Sequence, residues 1–127
     1  MIFVDTNVFI YAVGRTHALR ESARAFFLEH VESGEVLVSS AEVMQELLHV
    51  YLPVNRLDTL DAALGLARAR MSTIWPVERD DIDLARALVG RHAGLGARDL
   101  LHIACCKRRG VDRVQTFDRA LAAAMRT

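Results

Sequence analysis

The chain has 127 residues, of which 52% are hydrophobic, and its formal net charge at neutral pH is zero. This length suits a single domain, 1–127, with its own hydrophobic core, and the composition excludes a disordered chain. The balanced charge argues against a globally basic nucleic-acid binder, although fifteen of the sixteen positive residues are arginines, which suit phosphate recognition.

Short apolar runs alternate with helical patterns along the chain, which is typical of βαβ units and a mostly parallel sheet. In chain order the patterns predict a strand over 2–5, a helix over 17–32, a strand over 36–38, helices over about 40–50 and 56–71, a strand over 73–75, helices over about 81–91 and 98–109, a strand within 111–117 and a terminal helix. Four strands and about six helices make a three-layer α/β domain.

Polar residues mark where two of these helices begin. Ser39 and Glu42 have the spacing of a capping box, with Ser39 as the N-cap residue. Asp80 or Asp81 is expected to cap the helix that ends near Arg91.

Four acids come from four separate segments that the predicted topology brings to one edge of the sheet. Asp5 and Asp118 follow the first and last strands, Asp99 lies in the first turn of its helix, and Glu46 lies on an otherwise apolar helix. Ligands of open α/β sheets bind at this carboxyl edge. Close carboxylates repel one another unless a cation binds them, and Mg²⁺ prefers carboxylate and water ligands. The acids therefore predict a Mg²⁺ site suited to phosphodiester hydrolysis.

Each acid also has a purely structural interpretation. Asp5 could form an Asx turn or a helix cap, Asp99 could complement the dipole of its helix, and Asp118 could be the N-cap residue of the last helix. Glu46 is harder to explain in this way because its helix has little polar face. Together the four acids indicate a site more strongly than any one of them does.

At these residues the chain resembles a PIN-domain ribonuclease of the VapC type, the toxin of a bacterial toxin–antitoxin pair. The matching segments occur in order along the whole chain, at 3–7 (FVDTN), 46–48 (ELL), 99–104 (DLLHIA) and 116–118 (TFD). The resemblance implies an acidic quartet formed by Asp5, Glu46, Asp99 and Asp118. It implies that the metal is held by Asp5, Asp99 and Asp118, and that the quartet is supported by Thr6, Asn7 and Thr116.

The resemblance also implies a function. Similar proteins are Mg²⁺- or Mn²⁺-dependent endoribonucleases that cut structured RNA such as tRNA or ribosomal RNA and leave 5′-phosphate and 3′-hydroxyl ends. Such toxins inhibit translation, form dimers and are blocked by a cognate antitoxin. We therefore expect a Mg²⁺ cofactor that Mn²⁺ can replace, an RNA substrate, an antitoxin partner and a homodimer.

Two positions depart from the family pattern. The position three residues after the last acid is commonly aromatic and is Leu121 here, and His102 stands where a small or apolar residue is usual. We expect His102, like His49, to support the site, to pack in the core or to contact RNA.

Basic residues beside the acids are candidates for phosphate contacts, which would make RNA affinity fall with salt. Arginines at 15, 20 and 24 and basic residues at 107–109 and 113 could contact phosphates or could form ordinary solvated faces. The residues that we expect to contact RNA are Arg15, Arg98, His102 and Arg119.

Two other functions are compatible with part of the sequence. Glu46 and Asp99 each precede a histidine by three residues, and paired Glu-x-x-His motifs bind two irons in helical carboxylate bundles. The predicted strands argue against such a bundle. A PIN-like module that binds RNA or a partner without cutting is the second alternative, but such modules tend to lack one or more of the acids.

The sequence also suggests a compartment. No apolar stretch reaches membrane-spanning length, and the first residues lack the pattern of a signal peptide. The adjacent Cys105 and Cys106 lie in an apolar helical pattern, which suggests reduced thiols and not a disulfide framework. We expect a cytoplasmic protein without a membrane partner.

Overall fold

A four-stranded sheet lies at the centre of the protein. The computed structural model describes residues 1–127. Its strands are β1 (Ile2–Val4), β2 (Leu37–Ser40), β3 (Thr73–Trp75) and β4 (Arg113–Gln115). Its helices are α1 (Thr6–Val13), α2 (Arg20–Ser33), α3 (Ala41–Tyr51), α4 (Leu57–Arg70), α5 (Arg79–Ala87), α6 (Ala97–Arg108) and α7 (Arg119–Met125). No helix combines the length and the apolar character needed to cross a bilayer.

The strands are all parallel and lie in the order β3-β2-β1-β4. Ile2 pairs with Leu37 on one side and with Arg113 on the other, so β1 is a central strand. Because parallel strands end at the same edge of a sheet, the residues that follow β1 and β4 become neighbours. The predicted α/β class with a parallel sheet of four strands is confirmed.

The main hydrophobic core forms around β1. Phe3 and Val4 have no exposed surface, because a central strand of a parallel sheet is covered on both faces. A smaller apolar cluster packs α6 against α7 and includes Ile103 and Leu121, both fully buried. The last acid of the predicted quartet lies just before α7, so this cluster fixes its position.

Helix α1 is absent from the predicted elements, so the protein has seven helices and not about six. Its sequence, TNVFIYAV, is almost entirely apolar, and Val8 and Phe9 are fully buried. A helix that is apolar on most faces lacks the amphipathic stripe by which helices are detected in a sequence. The next helix, α2, begins at Arg20 and not at 17, and Arg15 lies between α1 and α2.

Two predicted helix caps are wrong. Ser40, and not Ser39, is the N-cap residue of α3, and its Oγ accepts a hydrogen bond from the Val43 N–H at 3.2 Å. Ser39 is the third residue of β2, and its hydroxyl donates to the Val4 carbonyl at 3.0 Å. The N-cap residue of α5 is Glu78, and that helix ends at Ala87 and not near Arg91.

Asp81, in the first turn of α5, is the centre of a buried ion-pair network. Its side chain has no exposed surface and accepts hydrogen bonds from Arg108 Nη1 at 2.7 Å and from Arg109 Nη1 at 2.8 Å. It also accepts from the Glu78 N–H at 2.8 Å. Burial raises the pKa of Asp81, but the hydrogen bonds from Arg109, Glu78 and Arg108 outweigh it and hold the pKa well below its usual range. The carboxylate therefore joins the start of α5 to the end of α6.

Replacing Asp81 with Asn is expected to lower the free energy of unfolding by roughly 2 kcal/mol at pH 7, because two guanidinium groups lose a buried charged partner. The folded-state pKa is depressed, so this stability is present above the unfolded pKa near 4 and disappears as the pH falls below about 4. Urea unfolding at several pH values measures the difference. Asp83→Asn is the control, because Asp83 is 66% exposed and its contact with Arg79 is 3.9 Å long. Equal effects of the two substitutions would contradict the assignment.

Candidate functional site

A cleft of about 490 Å³ opens at the carboxyl edge of the sheet. The four predicted acids, Asp5, Glu46, Asp99 and Asp118, all line it. The topology explains this convergence, because the acids follow β1, lie on the helix after β2, begin α6 and follow β4. The sequence did not single out two apolar lining residues, Ile10 and Val50.

The Asp5 carboxylate is held by the backbone and by β4. Asp5 is the N-cap residue of α1, and its Oδ1 accepts from the Thr6 N–H at 2.7 Å. Its Oδ2 accepts from Thr116 Oγ1 at 2.7 Å and, at 3.4 Å, from the Asn7 side chain. The Asp5 N–H donates to the Gln115 carbonyl at 3.0 Å. With only 6% of its surface exposed, this side chain is fixed in one orientation.

Thr116 and Asn7 connect the first acid to the last. Thr116 Oγ1 accepts from Asn7 Nδ2 at 3.2 Å and from the Asp118 N–H at 3.0 Å. Asn7 Oδ1 accepts from the Phe117 N–H at 3.1 Å. The chain after β4 is thereby held against the start of α1, so that Asp5 and Asp118 enter the same cleft.

Glu46 is 8% exposed, and each of its carboxylate oxygens has a hydrogen-bond partner. Thr6 Oγ1 donates to Oε2 at 2.7 Å, and His102 Nε2 lies 2.9 Å from Oε1. Arg98 Nη1 lies 4.0 Å from Oε2, and the Arg98 side chain is 57% exposed. The Glu46 carboxylate is therefore held by two hydrogen bonds and faces Arg98 at the rim of the cleft.

The other two acids are half-buried. Asp99 lies in the first turn of α6. Asp118 is the N-cap residue of α7, and its Oδ1 accepts from the Ala120 and Leu121 N–H groups at 2.9 and 3.2 Å. Both hydrogen bonds involve Oδ1, so Asp118 can cap the helix and still offer Oδ2 to the cleft.

The pKa values of the acids reflect their burial, the charges of their neighbours and the hydrogen bonds that they accept. Burial raises the pKa of Asp5, although His102 and Thr116 partly offset it. Burial, followed by the charges of Asp118 and Asp5, raises the pKa of Asp99. Burial also raises the pKa of Glu46, but the hydrogen bonds from His102 and Thr6 outweigh it and lower that pKa. The acids thus repel one another wherever a donor does not compensate.

A divalent cation fits this set of side chains. Four carboxylates line one cleft, and Arg98 is the one basic side chain in its lining. Burial raises the pKa of Asp99, and the charges of Asp118 and Asp5 raise it further by a repulsion that a cation would remove. Carboxylate oxygens are the ligands of Mg²⁺. The tightest group of ligand atoms, however, belongs to Asp5, Glu46 and His102, which lie within 4.8 Å of one another.

The predicted RNA contacts lie in different environments. Arg98 lines the cleft, whereas Arg15 and Arg119 are exposed outside its lining. His102 is 1% exposed, so the prediction that it contacts RNA is wrong. The buried His102 can still support the site, because it contacts Glu46 from within the core.

The other histidine of the paired motifs, His49, is exposed on α3 and is separate from the site. The parallel sheet excludes a helical di-iron bundle.

The sequence matches the PIN domain family model over residues 2–126. The chain belongs to the PIN-domain family. It is 61% identical to ribonuclease VapC23 of Mycobacterium tuberculosis over 127 residues, which is 100% of both chains. It is 35% identical to ribonuclease VapC13 of the same species over 119 residues, 94% of this chain and 91% of that one. The PIN-domain family and the VapC type predicted from the sequence are confirmed.

The fold of this PIN domain is also that of a solved VapC structure. The crystal structure of Mycobacterium tuberculosis VapC20, a toxin that cleaves the sarcin–ricin loop, superposes with a TM-score of 0.72. The match covers 98% of this chain and 95% of that one at 23% identity. At this identity the likeness concerns the fold, including the parallel sheet whose edge carries the acids.

In the presence of a chelator, Asp99→Asn is expected to raise the melting temperature at pH 7 by about 2 °C, because the substitution removes a half-buried carboxylate that Asp118 and Asp5 repel. A raised folded-state pKa costs stability only where the acid is ionised, so the gain should vanish near pH 3. Asp58→Asn is the control for the lost helix-dipole attraction, because Asp58 is an exposed first-turn acid of α4. A lower melting temperature in Asp99→Asn than in Asp58→Asn would contradict the repulsion.

Proposed function

We propose that this VapC-type PIN domain is a Mg²⁺-dependent endoribonuclease in which Mn²⁺ can replace Mg²⁺. The observation that carries the proposal is the convergence of Asp5, Glu46, Asp99 and Asp118 in one cleft. The relatives VapC23 and VapC13 are named as ribonucleases. The cleft is acidic, and its one hydroxyl, that of Thr6, donates to Glu46, so the lining suits hydrolysis of a phosphodiester by an activated water.

Asp5, Asp99 and Asp118 would hold the cation, directly or through waters. When bound, Mg²⁺ supplies charge neutralisation at the phosphoryl group and lowers the pKa of a coordinated water. The protein contributes rigid ligands: Thr6, Asn7 and Thr116 support Asp5, and Asp118 is fixed by its own helix cap.

Glu46 has a different role in the proposal. Its carboxylate orients the attacking water or accepts a proton from it, and the water attacks phosphorus in line with the departing 3′-oxygen. The P–O3′ bond breaks and the departing 3′-oxygen takes up a proton from solvent water, so the products carry a 5′-phosphate and a 3′-hydroxyl. Arg98, which is exposed at the rim 4.0 Å from Glu46, is placed to contact a phosphate of the RNA.

The substrate class and the partners follow from the family. We propose a structured RNA of the tRNA or ribosomal RNA class as the substrate, with inhibition of translation as the consequence of cleavage. We propose a cognate antitoxin as the partner, and a groove of about 310 Å³ beside the cleft, lined by apolar residues such as Ile82 and Val89, is a candidate surface for it. The groove and the cleft share Arg98, so a segment bound there would reach the site. The homodimer and the cytoplasmic location stay predictions.

Glu46→Gln is expected to reduce RNA cleavage at least about 100-fold while leaving the melting temperature within a few degrees, because it removes the group that handles the attacking water. Asp5→Asn and Asp99→Asn should lose activity similarly. The assay follows cleavage of total tRNA and ribosomal RNA with Mg²⁺, with Mn²⁺ and with a chelator.

Gln45→Glu is the control on the same helix, because Gln45 is exposed and is not part of the cleft lining. Wild-type cleavage by Glu46→Gln would remove Glu46 from the mechanism. RNA binding without cleavage in the wild-type protein would instead support a non-catalytic PIN-like module.

A further inference from the structure

His102 is a buried aromatic residue beneath the acidic cleft. It lies on α6 one turn after Asp99 and is 1% exposed. Its ring packs against Phe3 of the central strand, with 5.3 Å between the ring centroids, and Phe3 stacks in turn on Trp75 at 5.8 Å. The ring is therefore held in one place by the hydrophobic core and has no route to the surface.

The two nitrogens of His102 have opposite surroundings. Nε2 lies 2.9 Å from Glu46 Oε1 and 3.6 Å from Asp5 Oδ1, whereas Nδ1 is buried without a hydrogen-bond partner. Ionised carboxylate oxygens only accept hydrogen bonds, so a bare Nε2 lone pair would face two acceptors. Nε2 must therefore carry a hydrogen and donate it to Glu46.

This donor completes the fixation of Glu46. Thr6, on α1, donates to one carboxylate oxygen, and His102, on α6, donates to the other. The nearest competing partner is Arg98, 4.0 Å away and 57% exposed. Without the His102 donor, one oxygen of Glu46 would be free, and the side chain could turn towards the guanidinium at the rim.

We propose that His102 is a positioning residue for RNA cleavage, which acts by donating from Nε2 to Glu46 and thereby keeps that carboxylate turned towards the attacking water. It does not contact the RNA. This inference rests on the proposed nuclease function, because it concerns the residue that handles water in that reaction. Donors in the second layer of a site typically affect activity or metal affinity by roughly 10- to 100-fold.

Substitutions with two amides and one apolar residue separate the donor from the packing. A Gln amide nitrogen reaches the place of Nε2, whereas an Asn amide nitrogen reaches only the place of Nδ1, which has no partner. His102→Gln should keep kcat within about threefold of the wild type, and His102→Asn and His102→Leu should lose roughly 10- to 100-fold in kcat with KM unchanged. His49→Leu, on the exposed face of α3, is the control and should keep wild-type kcat.

Two further measurements do not depend on activity. Calorimetric titration with Mn²⁺ should give dissociation constants within about twofold of one another for the wild type and the three His102 variants, because the proposed metal ligands are Asp5, Asp99 and Asp118. Crystal structures should show the Glu46 carboxylate turned towards Arg98 in His102→Leu and unmoved in His102→Gln.

Three results would overturn the inference. Wild-type kcat in His102→Leu would show that the donor is dispensable. Equal losses in His102→Gln and His102→Leu would assign the effect to ring packing. A weakened Mn²⁺ affinity that parallels the loss of kcat would show that His102 acts through the metal. Absence of cleavage by the wild-type protein would instead refute the proposed function and, with it, the assignment of His102 to that reaction.

Discussion

The Asp5 carboxylate is the point at which the central strand β1, the edge strand β4 and the first helix are joined. Its oxygens accept from the Thr6 backbone and from the Thr116 hydroxyl, 111 residues away in the chain. A carboxylate that is 6% exposed would be costly to bury without such donors. Because the same Thr116 hydroxyl accepts from the Asp118 N–H, the contacts that stabilise the buried Asp5 carboxylate also hold Asp118 at the cleft.

The cleft concentrates like charges, which opposes folding. Burial is the main cause of the raised pKa values of Asp5 and Asp99, and the neighbouring acids raise them further, whereas the donors His102 and Thr6 lower the pKa of Glu46. A purely structural helix cap needs no second or third acid beside it. The convergence of repelling groups on one cleft is therefore better explained by a ligand that neutralises them than by stability.

The sequence predicted most of what local patterns encode. Asp5 directly follows β1, Asp118 lies shortly after β4, and parallel strands share one edge, so the convergence of these acids could be inferred without coordinates. Helix α1 could not be recognised because it is buried on most faces. The cap at Ser40 was missed because Glu42 completes the capping-box spacing with Ser39, whereas Ser40 has Val43 at that position. The contact between His102 and residue 46 spans 56 positions and leaves no local pattern.

In the proposed function, Asp5, Asp99 and Asp118 converge on one divalent cation, and Glu46 acts on the attacking water beside it. Anomalous diffraction from crystals soaked in Mn²⁺ tests this most directly, because it locates the ion independently of any activity. A peak is expected in the cleft within coordination distance of Asp5, Asp99 and Asp118, and no such peak in crystals of Asp5→Asn. A wild-type cleft without a peak at saturating Mn²⁺, or an undiminished peak in Asp5→Asn, would contradict it.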